Sequence, residues 1–445
     1  MYVERGRQSD ACVEQQKASS SDRKTIALTV ARTAHRTLPV QPCLFTIVFG
    51  VCVFVGLAPQ TGGAETVALV GAKVYVDPDR PPISDGVVLI DGNVITTAGP
   101  KDQTKIPGRA RVINCAGATI TAGFWNSHVH FSDPQWDNAS SLPAERLTQQ
   151  LERMLTRYGF ATVVDTGSAL ENTRVLRSRI ADGKIKGPRI LTAGEPFVAK
   201  GGTPYYVKPI LLPELLTPIQ TVEAVRQKID SGADAIKLHA GTITNEQDKA
   251  NSHVAIPTDL VRAATGEAHR RGKLVLAHPQ YEGGLRTAIE GNVDVLVHVT
   301  EELLAWPADL LAEALRKDVA LIPTLKLLAA PGPVQKRERL LRQVREYSER
   351  GGPILFGTDV GYIADYDPTQ EYILMGQAGL NPMQILAALT TQPVRRFRNG
   401  AKSGRVDSGY EADITVLDGD PAVDMRNFAT VRYTIRAGKF VFTRR

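Results

Sequence analysis

Five side chains of metal-binding type are spread along the chain, and each ends a short apolar run. They are His128 and His130 in GFWNSHVHF, His278 in LVLAHP, His298 in VDVLVHV and Asp359 in ILFGTD. His128 and His130 are two residues apart, so on a strand both side chains point to the same face. Neutral imidazole and carboxylate are ordinary ligands of Zn²⁺ and related ions. The set therefore predicts a metal site.

A lysine, Lys237 in DAIKLHA, belongs to another of these runs. A free ammonium buried beside two divalent cations would be strongly unfavourable. Two interpretations stay open. Either the side chain points away into packing, or the neutral amine has captured CO₂ to form a carbamate, an anion whose two oxygens can bridge two metals. Burial lowers the pKa of a lysine and so favours the amine that reacts.

The elements that carry these residues alternate between apolar runs of strand length and amphipathic helical stretches. The runs are typical of parallel strands buried on both faces: TAGFWNSHVHF, ATVVDTG, RILTAGEPF, DAIKLHA, LVLAHP, VDVLVHV, VALIPTL and ILFGTD. Eight such units over residues 118–399 predict an α/β fold, a (β/α)₈ TIM barrel whose strand ends carry the site. An open doubly wound sheet is the alternative, but no Gly-rich phosphate loop follows the first run.

The two segments on either side of this region have a different sequence pattern. Residues 65–117 and 400–445 consist of short strand-like runs with turns at Asp91-Gly92 and Ala437-Gly438. We expect these two segments to form one small β-sandwich domain, with the barrel inserted between them.

Residues 1–64 are predicted to be a leader. No charged side chain occurs from Thr37 to Ala64, and residues 43–58 are mostly apolar. As a helix this run would span roughly 24 Å, short of the ~30 Å hydrocarbon core. Small residues around Ala64 resemble a signal-peptidase site, so we expect a signal peptide and a periplasmic or extracellular protein. Anchoring in a membrane by residues 43–58 and a buried core segment are the alternatives.

Composition excludes several protein classes. With 445 residues, 43% of them hydrophobic, and a net charge of +6, the chain is neither disordered nor collagen-like. Cys115 is the lone cysteine of the body, so no disulfide framework supports it and we expect it to be buried and inert. We expect a small-molecule or dipeptide substrate, no nucleic acid, no stable membrane association after leader removal, and a homo-oligomer as an open option.

The ordered set of ligand-type residues resembles the amidohydrolase superfamily, and within it the imidazolonepropionase-like branch that includes exported dipeptidases. The stretches NPMQILAALTTQPVRR and SGRVDSGYEADITVLDGDP extend the resemblance over residues 67–445. It implies two divalent ions, with Zn²⁺ expected, and Lys237 as N6-carboxylysine bridging them together with a hydroxide. The implied ligands are His128, His130 and Asp359 for the first ion and His278 and His298 for the second.

The resemblance also implies a reaction. The metal-bridging hydroxide would attack the substrate carbonyl, Asp359 would pass its proton to the leaving nitrogen, and His298 would belong to the catalytic set. We therefore expect an exported metal-dependent amidohydrolase that cleaves an amide or peptide-type C–N bond of a small molecule or dipeptide. An ester, lactone or organophosphate hydrolase, a cyclic-amidine hydrolase or deaminase, a mononuclear site with unmodified Lys237, and a non-catalytic metal-dependent binding protein are the alternatives.

Four residues are candidate substrate contacts. His239 is two residues past Lys237 on the same strand face, Tyr205 and Tyr206 lie in a loop after the third run, and Lys326 follows the seventh. A phenol there could hydrogen-bond a tetrahedral oxyanion, and Lys326 could pair with a substrate carboxylate. Dipeptidase-like members often carry GGH in that loop where this chain has GGT, which leaves dipeptide specificity open.

Overall fold

The computed structural model describes residues 66–329, 332–397 and 402–444. The predicted leader, including the alternative anchor at residues 43–58, lies outside the described residues. Within those ranges, no helix combines the length and the apolar character needed to cross a membrane.

Eighteen strands and eleven α-helices make up the described chain. The strands are β1 (Val67–Val74), β2 (Ile83–Asp91), β3 (Val94–Pro100), β4 (Arg111–Asn114), β5 (Thr119–Ala122), β6 (Phe124–Val129), β7 (Phe160–Asp165), β8 (Arg189–Thr192), β9 (Val198–Ala199), β10 (Glu214–Leu215), β11 (Ala235–Ile243), β12 (His253–Ala255), β13 (Leu274–Pro279), β14 (Val295–Val297), β15 (Ala320–Ile322), β16 (Ile414–Leu417), β17 (Val431–Arg436) and β18 (Lys439–Thr443). The helices are α1 (Ala144–Met154), α2 (Leu170–Ala181), α3 (Pro218–Asp230), α4 (Thr258–Arg270), α5 (Glu282–Glu290), α6 (Ala308–Arg316), α7 (Leu325–Leu328), α8 (Val334–Glu349), α9 (Thr369–Gln377), α10 (Pro382–Leu389) and α11 (Thr391–Phe397).

Strands from both ends of the described chain share one eight-stranded sheet, in the order β18-β17-β16-β5-β1-β2-β3 with β4 beside β1. The pairing of β16 with β5 joins the two ends. Cys115 is fully buried in the core of this sheet, as expected. The strands pair into a single sheet, so a sandwich of two facing sheets stays a prediction. Strand β5 belongs to this sheet although residues 118–399 were assigned to the barrel.

The central strands form two further sheets. One is three-stranded, β6-β7-β8, and the other is five-stranded, β12-β11-β13-β14-β15. All their pairings are parallel except that of β12 with β11. One isolated bridge joins Phe197, which follows β8, to Leu238 of β11, and another joins Val129 of β6 to Val360, which lies outside both sheets. The molecule is thus a mixed α/β fold, and within the described ranges its strands do not form one closed sheet.

The predicted eighth strand, ILFGTD, is an extended segment that makes only isolated bridges. Ile354 pairs with Leu321 of β15, and Val360 pairs with Val129 at the end of β6. Between them Asp359 takes a positive φ of 60°, which interrupts regular pairing. The segment therefore contacts both central sheets but does not form a continuous strand of either.

The helices cover the central sheets with one apolar face each. In α1, for example, Leu147, Leu151 and Met154 are fully buried, and their spacing places them on one side of the helix. The parallel strands are buried on both faces, which leaves the side chains at their C-terminal ends to define the site.

Candidate metal centre

His128, His130 and Asp359 bring three ligand atoms together at the end of β6. Oδ1 of Asp359 lies 3.2 Å from Nε2 of His128 and 2.9 Å from Nε2 of His130. The two Nε2 atoms are 3.0 Å apart. Two atoms that each lie about 2.1 Å from one ion in tetrahedral geometry are about 3.4 Å apart, so this spacing fits ligands of a common ion.

The backbone around Asp359 places this triad. The amide of Asp359 donates to the carbonyl of His128 at 3.0 Å, and the amide of His130 donates to the carbonyl of Val360 at 2.8 Å. The chain then turns through Gly361, where φ is +98° and a Cβ would lie 1.9 Å from the His130 carbonyl oxygen. Only glycine permits that approach, which sets Asp359 directly beside the histidine pair.

His278 at the end of β13 and His298 just beyond β14 extend the cluster. The ring of His298 lies 4.7 Å from that of His128 and 4.8 Å from that of His278, centroid to centroid. Nε2 of His298 is 3.7 Å from Oδ2 of Asp359. His298 has a φ of 80°, a strained conformation of the kind that persists at functional sites. All five predicted ligand-type residues therefore meet in one place.

The unsatisfied atoms of the cluster fit a metal. Among the described residues, Nε2 of His278 and Oδ1 of Asp359 are buried without a hydrogen-bond partner of good geometry. Buried polar groups are normally paired, and orphans indicate an absent water or ion. One ligand atom from each of His128, His298 and Asp359 lies within 4.8 Å of the others, a spacing that could hold a metal ion. A set of imidazoles and one carboxylate suits Zn²⁺ and similar divalent ions.

Burial prepares these groups for metal binding. Burial lowers the pKa of His128 to about 4 and that of His278 to about 3, and it holds that of His298 well below its usual value. Burial alone would raise the pKa of Asp359, but its contacts with His128 and His130 hold that pKa well below the ordinary value. At neutral pH the site thus contains neutral imidazoles and an ionised carboxylate, the forms that bind metal.

Lys237 is the third residue of β11, with 2% of its surface exposed. Burial lowers its pKa from 10.5 to about 8, although the charges of Asp359 and Asp165 act in the opposite direction. Both sequence interpretations, a lysine in packing and a carbamate, place the side chain in the interior, and its burial agrees with either.

Two of the predicted substrate contacts border the cluster. The ring of His239 stacks on that of His278 at 4.8 Å, and its Nδ1 is buried without a partner among the described residues. Tyr206 packs edge-on against Tyr362 at 5.7 Å. Burial raises the pKa of Tyr206 well above 10, and the nearby charges of Tyr362 and Asp359 add to the rise. His239 therefore lies against the cluster, and contact of either side chain with a substrate stays a prediction.

Tyr205 is the neighbour of Tyr206 in the same loop. Its ring is 5.4 Å from that of Tyr206, and the ammonium of Lys249 sits 5.5 Å above its face. Both tyrosines belong to a short 3₁₀ helix over Tyr205–Val207 in the loop predicted from the sequence. The two phenol rings thus contact each other in this loop, and a substrate contact by Tyr205 stays a prediction.

The ammonium of Lys326, the fourth predicted substrate contact, binds a loop of the protein itself. Its Nζ donates to the carbonyls of Asp365 at 2.8 Å and Asp367 at 2.6 Å, and it lies 2.9 Å from Oδ2 of Asp365. An ammonium has three protons, and these three acceptors use all of them. Lys326 holds the loop at residues 365–367, so it has no donor left for a substrate carboxylate.

Sequence reasoning missed the residues that orient the ligands. The hydroxyl of Thr324 contacts Nδ1 of His298. Oδ1 of Asn126 accepts hydrogen bonds from the backbone amides of His128 and Thr358. Gly167 passes the His130 ring so closely that a Cβ would lie 2.8 Å from its Cε1 atom. Thr324 follows a predicted strand end, as the ligands do, and that position was the available signal. Threonine and glycine are too common in loops for the signal to stand out.

Comparison with known proteins was made at the level of sequence and of fold. The sequence profile of the amidohydrolase family matches residues 119–441. Ochratoxinase of Aspergillus niger is 24% identical over 414 aligned positions, which cover 81% of this chain and 83% of that protein.

Two solved structures show the same fold. A Xaa-Pro dipeptidase with bound methionine has a TM-score of 0.72 at 22% identity, covering 84% of this chain and 99% of its own. Molinate hydrolase has a TM-score of 0.70 at 21% identity, covering 85% of this chain and 95% of its own. At these identities the likeness concerns the fold, and the site must be judged from its residues.

Proposed function

Because this chain belongs to the amidohydrolase family, we propose that it is a metal-dependent hydrolase that cleaves an amide or peptide-type C–N bond of a small molecule or dipeptide. One observation carries the proposal. Nε2 of His128 and of His130 both lie within 3.2 Å of Oδ1 of Asp359, in a buried cluster that His278 and His298 extend.

We propose that the two central sheets are arcs of one (β/α)₈ barrel. The bridge between Phe197 and Leu238 and that between Val129 and Val360 stand at the two places where the arcs approach each other. A further bridge, Leu321 to Ile354, attaches the eighth segment to β15. The family's usual barrel places catalytic residues at strand ends, in agreement with the positions of the cluster.

The proposed centre holds two divalent ions, with Zn²⁺ as the expected metal. His128, His130 and Asp359 would hold the first ion and His278 and His298 the second. Lys237, as N6-carboxylysine, would lie between them. At a pKa of about 8, about a tenth of this amine is neutral at pH 7, against less than about 0.1% for an ordinary lysine. That neutral fraction supports carbamate formation.

When bound, such ions activate a water molecule and polarise the substrate carbonyl. The proton transfer and the hydrogen bonding to the substrate are assigned to side chains of this protein. Asp359 is ionised and buried, so its carboxylate can take the proton of the attacking water and pass it to the leaving nitrogen. We propose that the phenol of Tyr206 donates a hydrogen bond to the substrate oxygen that gains negative charge. The buried setting strengthens both interactions.

A hydrogen bond of Thr203 bears on the choice between a dipeptide and another small-molecule amide. Thr203 stands where dipeptidase-like members often carry a histidine. Its Oγ1 accepts a hydrogen bond from the amide of Leu212 at 3.2 Å, and the residue is 4% exposed. Thr203 thus stabilises its own loop instead of facing the substrate. This favours a small-molecule amide over a dipeptide within the proposed class.

The proposal is tested by assaying the zinc-loaded protein on a panel of N-acyl amides, dipeptides, carboxylic esters and lactones, with Asp359→Asn in parallel. We expect turnover of at least one amide. We expect Asp359→Asn to retain the fold and at least one ion while kcat falls by about 10²-fold or more. Turnover of esters and lactones alone would transfer the proposal to that class. Metal binding without any turnover would identify a binding protein.

Export, a small-molecule partner and the homo-oligomer option are proposals that rest on the sequence alone. Export is tested by expressing the full chain in a bacterial host, and the oligomeric state of the purified protein is tested by light scattering. N-terminal sequencing of the periplasmic fraction is expected to show cleavage near Ala64. Recovery of the intact chain in the membrane fraction would instead support the anchor at residues 43–58.

A further inference from the structure

The side chain of Thr324 lies directly against one of the proposed ligands, on the side away from the metal centre. Its Oγ1 is 2.5 Å from Nδ1 of His298 and 2.8 Å from the carbonyl oxygen of Pro323. All three groups are in the interior, and Thr324 and His298 are 0% and 6% exposed.

The directions of these hydrogen bonds follow from the count of protons. A hydroxyl has one proton, and the carbonyl of Pro323 can only accept. If Oγ1 donated to His298, it would face that carbonyl at 2.8 Å with two acceptors opposed. Oγ1 therefore donates to Pro323 and accepts from Nδ1–H of His298. The neutral ring then keeps its lone pair on Nε2, the nitrogen that faces Asp359 at 3.7 Å.

The backbone at Thr324 is held in a conformation that threonine rarely adopts. Its φ of 46° and ψ of 49° are left-handed, and a β-branched side chain there is strained. Glu371 counters the strain, because its carboxylate accepts the amides of Leu325 at 2.9 Å and Lys326 at 2.6 Å. The ammonium of Lys326 in turn fixes the loop at residues 365–367. The turn is thus held at the two residues that follow the threonine.

We infer that Thr324 is a positioning residue that fixes the tautomer and ring orientation of His298, with Glu371 as the anchor of its turn. This inference rests on the proposed metal centre. A histidine ligand whose second nitrogen donates to a fixed acceptor binds metal 10- to 100-fold more tightly than one without that partner. The strained threonine is kept because a residue at this point must supply an acceptor to Nδ1.

Two substitutions separate the hydroxyl from the shape of the side chain. Thr324→Val keeps the β-branch and the volume but replaces the hydroxyl with a methyl group. Thr324→Ser keeps the hydroxyl and removes the methyl. Thr162→Val is the matched control, because the hydroxyl of Thr162 is equally buried and has no partner among the described residues. Glu371→Gln tests the anchor, since it opposes an amide donor to one of the two backbone amides.

Metal affinity is the readout, measured by competition between the purified protein and a chelator for Zn²⁺. We expect Thr324→Val to weaken binding 10- to 100-fold, Thr324→Ser and Thr162→Val to stay within about threefold of wild type, and Glu371→Gln to fall between. The absorption spectrum of the Co²⁺-loaded protein should change in Thr324→Val and be restored in Thr324→Ser. Thermal unfolding of each metal-free variant shows whether it has folded.

A purely structural role predicts the reverse order, with Thr324→Ser more damaging than Thr324→Val because it leaves a cavity. That order, or a Thr324→Val protein with unchanged affinity and spectrum, would overturn the inference. If Thr324→Val does not fold, Glu371→Gln decides, and unaltered affinity there has the same meaning. Absence of metal binding by the wild-type protein would instead refute the proposed function.

Discussion

Asn126 and Thr358 join the first and last segments of the central sheets through their side chains, with Nδ2 of Asn126 donating to Oγ1 of Thr358 at 2.6 Å. Oδ1 of Asn126 also accepts the amides of His128 and Thr358, each at 3.2 Å. One buried amide group thus fixes the backbone next to the histidine pair and next to Asp359. The triad depends on this connection because its members come from opposite ends of the barrel region.

We expect Asn126→Ala to destabilise the protein by about 1–3 kcal/mol, since it leaves the buried amide of His128 without this acceptor and the amide of Thr358 with only the carbonyl of His128, at 3.4 Å. Asn126→Asp should cost less, because a carboxylate still accepts from both amides and from the Thr358 hydroxyl. Chemical denaturation of the two variants beside wild type measures this difference. Equal stability of wild type and Asn126→Ala would show that the connection does not support the site.

The buried histidines should make the metal-free protein sensitive to acid. The pKa values of His128 and His278 are lowered to about 4 and about 3 by burial, against 6.5 in an unfolded chain. The unfolded state therefore takes up protons that the folded state excludes, so stability is present above pH 6.5 and is lost as the pH falls. Each histidine should contribute about 3 kcal/mol of loss by pH 4.

The measurement is the free energy of unfolding of the chelator-treated protein from pH 7 to pH 4. His278→Asn is the control variant, and its loss of stability with acid should be smaller than that of the wild type. Parallel curves for the two proteins would contradict the assignment of a neutral, buried His278.

Asp413 should act in the opposite direction. Burial raises its pKa from 3.8 to about 6, against the partly compensating charge of Arg189, whose Nη1 lies 3.7 Å from its Oδ2. The folded state binds this proton more readily, so the contribution of Asp413 to stability is present at low pH and is lost as the pH rises through about 6. Glu411 and Arg436 share the cluster, and the charge of Glu411 adds to the rise in the pKa of Asp413 while that of Arg436 opposes it.

Asp413→Asn keeps the acceptor that Ala437 uses, at 2.7 Å, and removes the charge. We expect this variant to match the wild type near pH 4 and to exceed it in stability at pH 7, by at most about 3 kcal/mol. Denaturation curves at the two pH values test this. A variant less stable than wild type at pH 7 would mean that the ion pair with Arg189 outweighs the cost of burying the carboxylate.

Tyr206 and Tyr205 should differ in their effect on catalysis. Tyr206→Phe removes the phenol that we propose binds the substrate oxygen, and we expect kcat to fall about 10- to 100-fold with little change in KM, as for loss of a donor that acts in the transition state. Tyr205→Phe keeps the ring that Lys249 covers and should leave kcat within about threefold. Steady-state kinetics on an accepted amide substrate gives both values. Equal effects would remove Tyr206 from the substrate contacts.

The sequence alone was enough to locate the proposed metal ligands, because their residue types are rare and their positions are regular. His128 and His130 share a strand face by simple alternation, and His278, His298 and Asp359 each close an apolar run, so a fold with parallel strands must bring them together. The position of Lys237 in a buried strand was predictable in the same way. These inferences needed only the period of a strand and the geometry of parallel connections.

Contacts set by loop conformation were beyond such reasoning. Lys326 was predicted to meet a substrate, but its ammonium reaches two backbone carbonyls that become neighbours only after the loop at residues 365–367 has folded. The left-handed turn at Thr324 likewise depends on Glu371, 47 positions away and on another helix. No local pattern in the sequence reports either relationship.

The metal content of the purified protein tests the central claim most directly. Elemental analysis after zinc loading, together with anomalous diffraction at the zinc edge, should give two ions per chain. One should lie among His128, His130 and Asp359 and the other beside His278 and His298, with density extending beyond Nζ of Lys237. A protein that takes up no divalent ion at this cluster, or whose uptake is unchanged when His128 and His130 are both replaced by alanine, would contradict the account.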